Sequence, residues 1–269
     1  MNFPAAPDIR RILILKEDRF SADTLRRMAQ QIFPEAHCDV VQRIAAASAI
    51  MAAGAVDLWL TGAAALDGDV LDFLAVCCAA RNCFRHVLVV TSRHEPRTLL
   101  SLRQLPIDGV FDLVEEEPDR LLVALRSIVA GRPYWSPGVL ARLQDHLLAP
   151  RAFSKLLSAR EQMVLSVIGT GIDDQAAAAR LGLQPSSVHS VRRRLHRKLG
   201  LQHKGDLVRV AVQQGFIRFT ADSVLHPGLT ILRAQCTRGR RSQGKFSGYP
   251  AAIANLAPTP HRAPGPVSP

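Results

Sequence analysis

The chain of 269 residues carries 34 basic and 23 acidic side chains, for a net charge of +11, and has no run of eighteen apolar residues. That length leaves room for two domains, and the hydropathy excludes a membrane-spanning helix. The opening MNFPAAPDIRRILILKED has only the short apolar run 12–15, too brief for a signal-peptide core, so a cytoplasmic protein is expected. The five cysteines (Cys38, Cys77, Cys78, Cys83, Cys236) lack the paired spacing of a zinc site or disulfide framework and read as buried, reduced thiols.

The charge is unevenly spread. Residues 1–153 hold 17 basic against 18 acidic side chains, a net of −1; residues 154–219 reach +7 and residues 220–269 reach +5. A basic excess confined to the C-terminal part points to a nucleic-acid partner there, since phosphate neutralisation dominates non-specific affinity.

In chain order, the pattern predicts strands over 12–15, 38–41, 58–60, 87–90 and 109–114. Helices are predicted over 21–32, 45–53, 70–80, 97–105 and 118–130. Five strand-then-helix repeats imply a parallel sheet covered on both faces, a flavodoxin-like α/β domain over 1–132. Gly131 to Pro137 breaks the pattern, and a helix over 139–148 with the break at Pro150 makes 133–153 a linker. Beyond residue 220, prolines mixed with Gly, Ser and Arg and no sustained apolar period suggest a disordered tail over 220–269.

The segment 154–219 reads as four helices. Ser158-Ala159-Arg160-Glu161 is a capping-box pattern, with Met163, Val164, Val167 and Ile168 as an apolar face. A small-residue helix over 173–181 ends at Gly182, suited to a left-handed turn. Pro185 fits the first turn of the next helix, 185–199, whose inward stripe is Val188, Val191, Leu195 and Leu199. Its other side offers Ser187, His189, Ser190, Arg192, Arg193, Arg194, Arg197 and Lys198, a face suited to the major groove of double-stranded DNA. A fourth helix over 204–214 would close the core with Leu207, Val208 and Ala211.

This stretch resembles the LuxR/NarL-type helix-turn-helix domain in its Ser-x-x-Glu opening, the Gly171 turn, Ala178 and Leu181, Val188, and the Arg-Lys-Leu-Gly ending at Gly200. The resemblance places base contacts on His189, Ser190 and Arg193 and phosphate contacts on Ser187, Lys198 and Lys204. Two positions depart from the family: Ala177 stands where Ile is frequent, and Val191 where His is frequent.

An α/β domain ahead of such a unit resembles the receiver of a response regulator. The resemblance rests on the first strand, on Thr91-Ser92 at the hydroxyl position, and on the Gly131-to-Pro137 ending. The acidic pair falls on Lys16 and Glu17, with Glu17-Asp18 as the alternative if the loop shifts. The nucleophile position falls on Thr61 or Gly62, and the lysine position near Asp112 or Leu113; residues 98–125 contain no lysine. No phosphoacceptor, catalytic residue, metal site or cofactor is therefore expected, and the histidines show no ligand spacing. The reading is a phosphorylation-independent regulator, dimeric on an inverted repeat. Alternatives are a module that binds a partner protein through the receiver-like domain, or a sensor with a small molecule at the C-terminal strand edge.

Overall fold

The computed structural model describes residues 8–80, 83–220 and 223–238. The first part alternates β1 (Arg11–Leu15), α1 (Arg19–Ile32), β2 (His37–Val41), α2 (Ile44–Ala53) and β3 (Val56–Thr61). A small hairpin of β4 (Ala64–Ala65) and β5 (Gly68–Asp69) follows, then α3 (Val70–Ala80), β6 (Phe84–Thr91), α4 (Pro96–Arg103), β7 (Gly109–Asp112), α5 (Pro118–Val129) and β8 (Tyr134–Trp135). Six strands pair in parallel in the order β2-β1-β3-β6-β7-β8. Alternation along the strands divides the core. Ile12, Ile14, Leu58, Leu60, Leu88 and Val90 face α1 and α5, whereas Leu13, Leu15, Trp59, Val87 and Val89 face the side of α2, α3 and α4.

The second part comprises α6 (Pro137–Leu148), α7 (Phe153–Leu156), α8 (Ala159–Ile168), α9 (Asp174–Leu181), α10 (Pro185–Leu199) and α11 (Lys204–Gln213). After it come β9 (Arg218–Phe219), β10 (Val224–Leu225) and α12 (Leu229–Arg238). No helix of the described residues is long and apolar enough to cross a membrane. The five cysteines are free, and burial pushes the Cys77 and Cys78 thiols up to about 12.

Two features differ from the pattern reading. Tyr134 and Trp135 add a sixth strand within the stretch read as linker. A Cβ at Gly109 would collide with the Tyr134 carbonyl, so glycine there lets β8 lie alongside β7. Two residues are too few to display a period. The disorder expected from residue 220 is corrected over 223–238, which fold into a hairpin strand and a helix; the remainder, 239–269, lies outside the described residues. Helix α12 buries Ile231 and Leu232 between α8 and α3, a placement available only when both partners are present. It also explains why α8 is buried on every side from Glu161 to Ile168 instead of presenting one apolar face.

The two parts share a polar seam. Arg97 is fully buried and donates from its guanidinium to the Gly228 carbonyl (3.0 Å), while its backbone N–H donates to Gln214 O (2.9 Å). Burial lowers the Arg97 pKa to about 10 against the supporting charges of Asp72 and Asp69. Across the seam, Thr230 N–H donates to Asp72 (2.9 Å), Gly228 N–H reaches Asp69 (3.4 Å), and Arg218 pairs with Glu17 (3.3 Å). The core cluster runs without interruption from the sheet into α8, α10 and α11. Within the second part, Phe153 of α7 meets Phe216 edge to face at 5.0 Å.

Removing one partner of a buried charge network leaves the others unpaired, at about 3–5 kcal/mol. Arg97→Ala is expected to lose stability on that order and to expose the seam to limited proteolysis; an unchanged denaturation midpoint and digestion rate would contradict the assignment. Asp69 tests the same seam by pH. Burial raises its carboxyl from 3.8 to about 6, despite Arg93 nearby. A group so raised is favoured protonated in the fold, so its contribution is present below about pH 4 and is lost as pH rises through about 6. Urea unfolding of Asp69→Asn against the native chain, at about pH 4.5 and about pH 7.5, should show the variant gaining about 2 kcal/mol relative to native at the higher pH.

Candidate nucleic-acid interface

Helix α8 starts where Ser158 Oγ accepts from the Glu161 amide (3.3 Å) and Glu161 accepts from the Ser158 amide (2.9 Å), the reciprocal cap read from the sequence. Helix α9 starts at Asp173, which accepts from Ala176 N–H (2.7 Å), and ends at Gly182 with φ 62°, a left-handed residue that turns the chain toward α10. Pro185 occupies the first turn of α10. Val188, Val191 and Leu195 are buried on its inner stripe, so the helix is held on one side only.

The outer side is open. His189, Ser190, Arg193, Arg194, Arg197 and Lys198 are exposed, and Ser187 is half-buried. Beside the N-terminal half of α10 lies a cleft of about 550 Å³, lined by Ser158, Arg160, Glu161, Ser187, Ser190 and Arg194 among others. Arg193 and Arg197 carry no ion pair among the described residues. Lys204 opens α11, but its side chain lies outside the described residues.

Arg192, read with the exposed face, is placed differently. Its side chain is only 12% exposed; Nε donates to Asp174 (2.7 Å) and a terminal nitrogen to the Ile172 carbonyl (3.1 Å). It ties α10 to the start of α9 instead of standing in the open. His189 shares that carboxylate through Nδ1 (3.1 Å). Burial works against the Asp174 charge, but the hydrogen bonds from Arg192 and His189 hold its carboxyl below the ordinary range. Lys198 is exposed yet engaged, donating to Glu161 (2.8 Å) and to Leu156 O (2.9 Å). Burial likewise opposes the Glu161 charge, and Lys198 with the Ser158 amide holds it low. The two acids were not legible as partners of the basic face, because pairing across 15 to 37 positions leaves no local spacing signal.

At the strand ends of the α/β domain, Lys16 is buried and its ammonium approaches the Val90 carbonyl (3.4 Å). Burial lowers its pKa, with Asp18 and Glu17 acting the other way. A Cβ at Gly62 would sit 3.1 Å from Lys16 Cδ and 3.5 Å from Nζ, so the lysine chain occupies the space beside the position expected for a nucleophile. Glu17 is taken by Arg218 from the second part. Asp112 is fully buried against His94 (2.8 Å). No group of three or more His, Cys, Asp or Glu that could hold a metal occurs among the described residues.

A helix pair joined by a left-handed glycine, with the second helix basic and exposed, defines a helix-turn-helix unit behind a receiver-like α/β domain. Residues 155–211 match the model for bacterial regulatory proteins of the luxR family. Similar curated proteins include the transcriptional regulatory protein MctR of Rhizobium johnstonii, 26% identical over 132 residues, 48% of this chain and 60% of that protein. UhpA of Escherichia coli is 32% identical over 92 residues, 34% of this chain and 44% of UhpA. A probable transcriptional regulatory protein NarL of Mycobacterium tuberculosis is 30% identical over 129 residues, 48% of this chain and 59% of the relative. The aligned stretches thus span between 44% and 60% of these relatives. Among solved structures, RcsB of Salmonella enterica serovar Typhimurium bound to promoter P1flhDC has a TM-score of 0.53 at 18% identity, covering 77% of this chain and 100% of that one. That likeness carries the fold: a receiver followed by a helix-turn-helix.

Glu161 supports both the start of α8 and the end of α10. Glu161→Ala should cost about 1–2 kcal/mol through the lost cap and the freed Lys198. Thermal unfolding measures this, and a variant as stable as the native chain would show the contact to be idle.

Proposed function

We propose that the protein is a sequence-specific DNA-binding transcriptional regulator that inserts α10 into the major groove, binds an inverted repeat as a homodimer, and acts without phosphorylation of its first domain. The observation that carries this reading is the exposed face of α10 beside an open cleft, with Arg193 and Arg197 uncommitted to any acid among the described residues. Guanidinium groups fork onto guanine edges or phosphates, and serine and histidine complete a surface that reads bases. In this reading His189, Ser190 and Arg193 meet bases, while Ser187, Lys198 and Lys204 meet the backbone. The DNA-bound state of RcsB named in its solved complexes is consistent with this use of the same fold. Two protomers with helices one DNA turn apart would read related half-sites.

Independence from phosphorylation is supported by Lys16 beside Gly62 and by Arg218 on Glu17, which place protein cations where the reaction would need a carboxylate and a metal. Aspartyl phosphoryl transfer requires both an in-line nucleophile and charge neutralisation by the ion.

Selection of DNA from a randomised pool by the full chain should return an inverted repeat. Arg193→Ala should then weaken the selected site about 10- to 100-fold and relax one base position. Lys198→Ala should lower the salt slope by about one. Incubation with a small phosphodonor and Mg²⁺ should leave the intact mass unchanged. Selection of no sequence refutes the DNA reading, and a stoichiometric phosphoryl adduct refutes the independence.

A further inference from the structure

We propose that Asp174 is a positioning residue for base reading: it locks His189 in the tautomer whose outer ring nitrogen accepts a hydrogen bond, so that this position of the site selects adenine or cytosine. The inference rests on the DNA-binding reading of α10. His189 Nδ1 lies 3.1 Å from Asp174 Oδ2. An ionised carboxylate can only accept, so the ring nitrogen facing it carries the proton. In the neutral ring Nε2 is then bare. Histidine is 62% exposed here, on the open side of α10 toward its N-terminal half. In the major groove, the donors available to an acceptor are adenine N6–H and cytosine N4–H. A protonated ring would present a donor instead, suited to guanine or phosphate.

The lock is rigid because Asp174 is itself held. Arg192 donates to its other oxygen at 2.7 Å and is anchored on the Ile172 carbonyl. The same guanidinium neutralises an acid that would otherwise repel DNA from the edge of the interface. The remaining charged groups around His189 are few. Asp173, also at the start of α9, is occupied by the Ala176 amide; Arg192 and Arg193 lie on α10 itself; from α8, Glu161 is taken by Lys198, with Arg194 at 3.8 Å. Asp174 is therefore the acid that sets the proton on this ring.

The full chain, Asp174→Asn, Asp174→Glu and His189→Ala are compared by selection from a randomised duplex pool at about pH 8.5, above the ordinary histidine range. The position whose preference disappears in His189→Ala is the one His189 reads. The native chain should prefer adenine or cytosine there by about tenfold. Asp174→Asn, whose amide can either donate or accept, should lose the preference, with the position read by Arg193 unchanged, and Asp174→Glu should restore it. In parallel, ¹⁵N shifts of the His189 ring in the free native chain should report the Nδ1–H form, which keeps the proposal testable if a variant fails to fold.

A guanine preference, an unaltered preference in a folded Asp174→Asn, or an Nε2–H ring overturns the proposal. If the native chain selects no sequence, the DNA-binding reading itself fails and the proposal falls with it; selective native binding with any of the contrary results leaves that reading standing and sinks only the lock.

Discussion

The guanidinium of Arg97 sits where the two parts of the molecule meet, and the arrangement of everything beyond it depends on keeping that charge satisfied. A buried cation is tolerated only with acceptors and opposing charge close by. Here the acceptor is the Gly228 carbonyl, and the charges are Asp72 and Asp69 at the start of α3. Since Gly228 immediately precedes α12, holding Arg97 also seats that helix, and α12 in turn covers the side of α8 that would face solvent in a free helix-turn-helix unit. Burial of α8 on all sides thus follows from a polar contact in the neighbouring domain.

At the proposed DNA side the logic is reversed in sign but similar in form. Each of two acids, Asp174 and Glu161, pairs with a cation of α10: Arg192, which is withdrawn from the open face, in the first case, and Lys198, which stays exposed, in the second. What is left uncommitted is a short list, with Arg193 and Arg197 foremost. An acid beside a basic helix therefore works as a selector. It ties α10 to a neighbouring helix and leaves the other side chains free to meet a ligand.

The α/β domain keeps the frame of a receiver while its strand ends are filled from within. Lys16 lies along Gly62, and Arg218 reaches Glu17 from the far part of the chain. The proposed independence from phosphorylation and the docking of the second part are two views of one substitution: protein cations stand at the acidic corner.

Much of this was legible in the chain. The apolar runs at 12–15 and 87–90, the capping box at Ser158, Gly182 and Pro185 each depend on neighbours within a few residues, so the pattern reveals them directly. The stripe Val188, Val191 and Leu195 likewise named the inner side of α10, and by exclusion its outer side. Less legible were the two-residue β8, the helix α12 and the withdrawal of Arg192. Sequence alone determined most of the longer elements and which helix carries the basic face, because helix periods, caps and turn residues are short-range. Only the tertiary structure decided which of those bases remain free and what holds the domains together, because Asp174 meets Arg192, and Arg97 meets Gly228, across separations of 18 and 131 residues that no local pattern encodes.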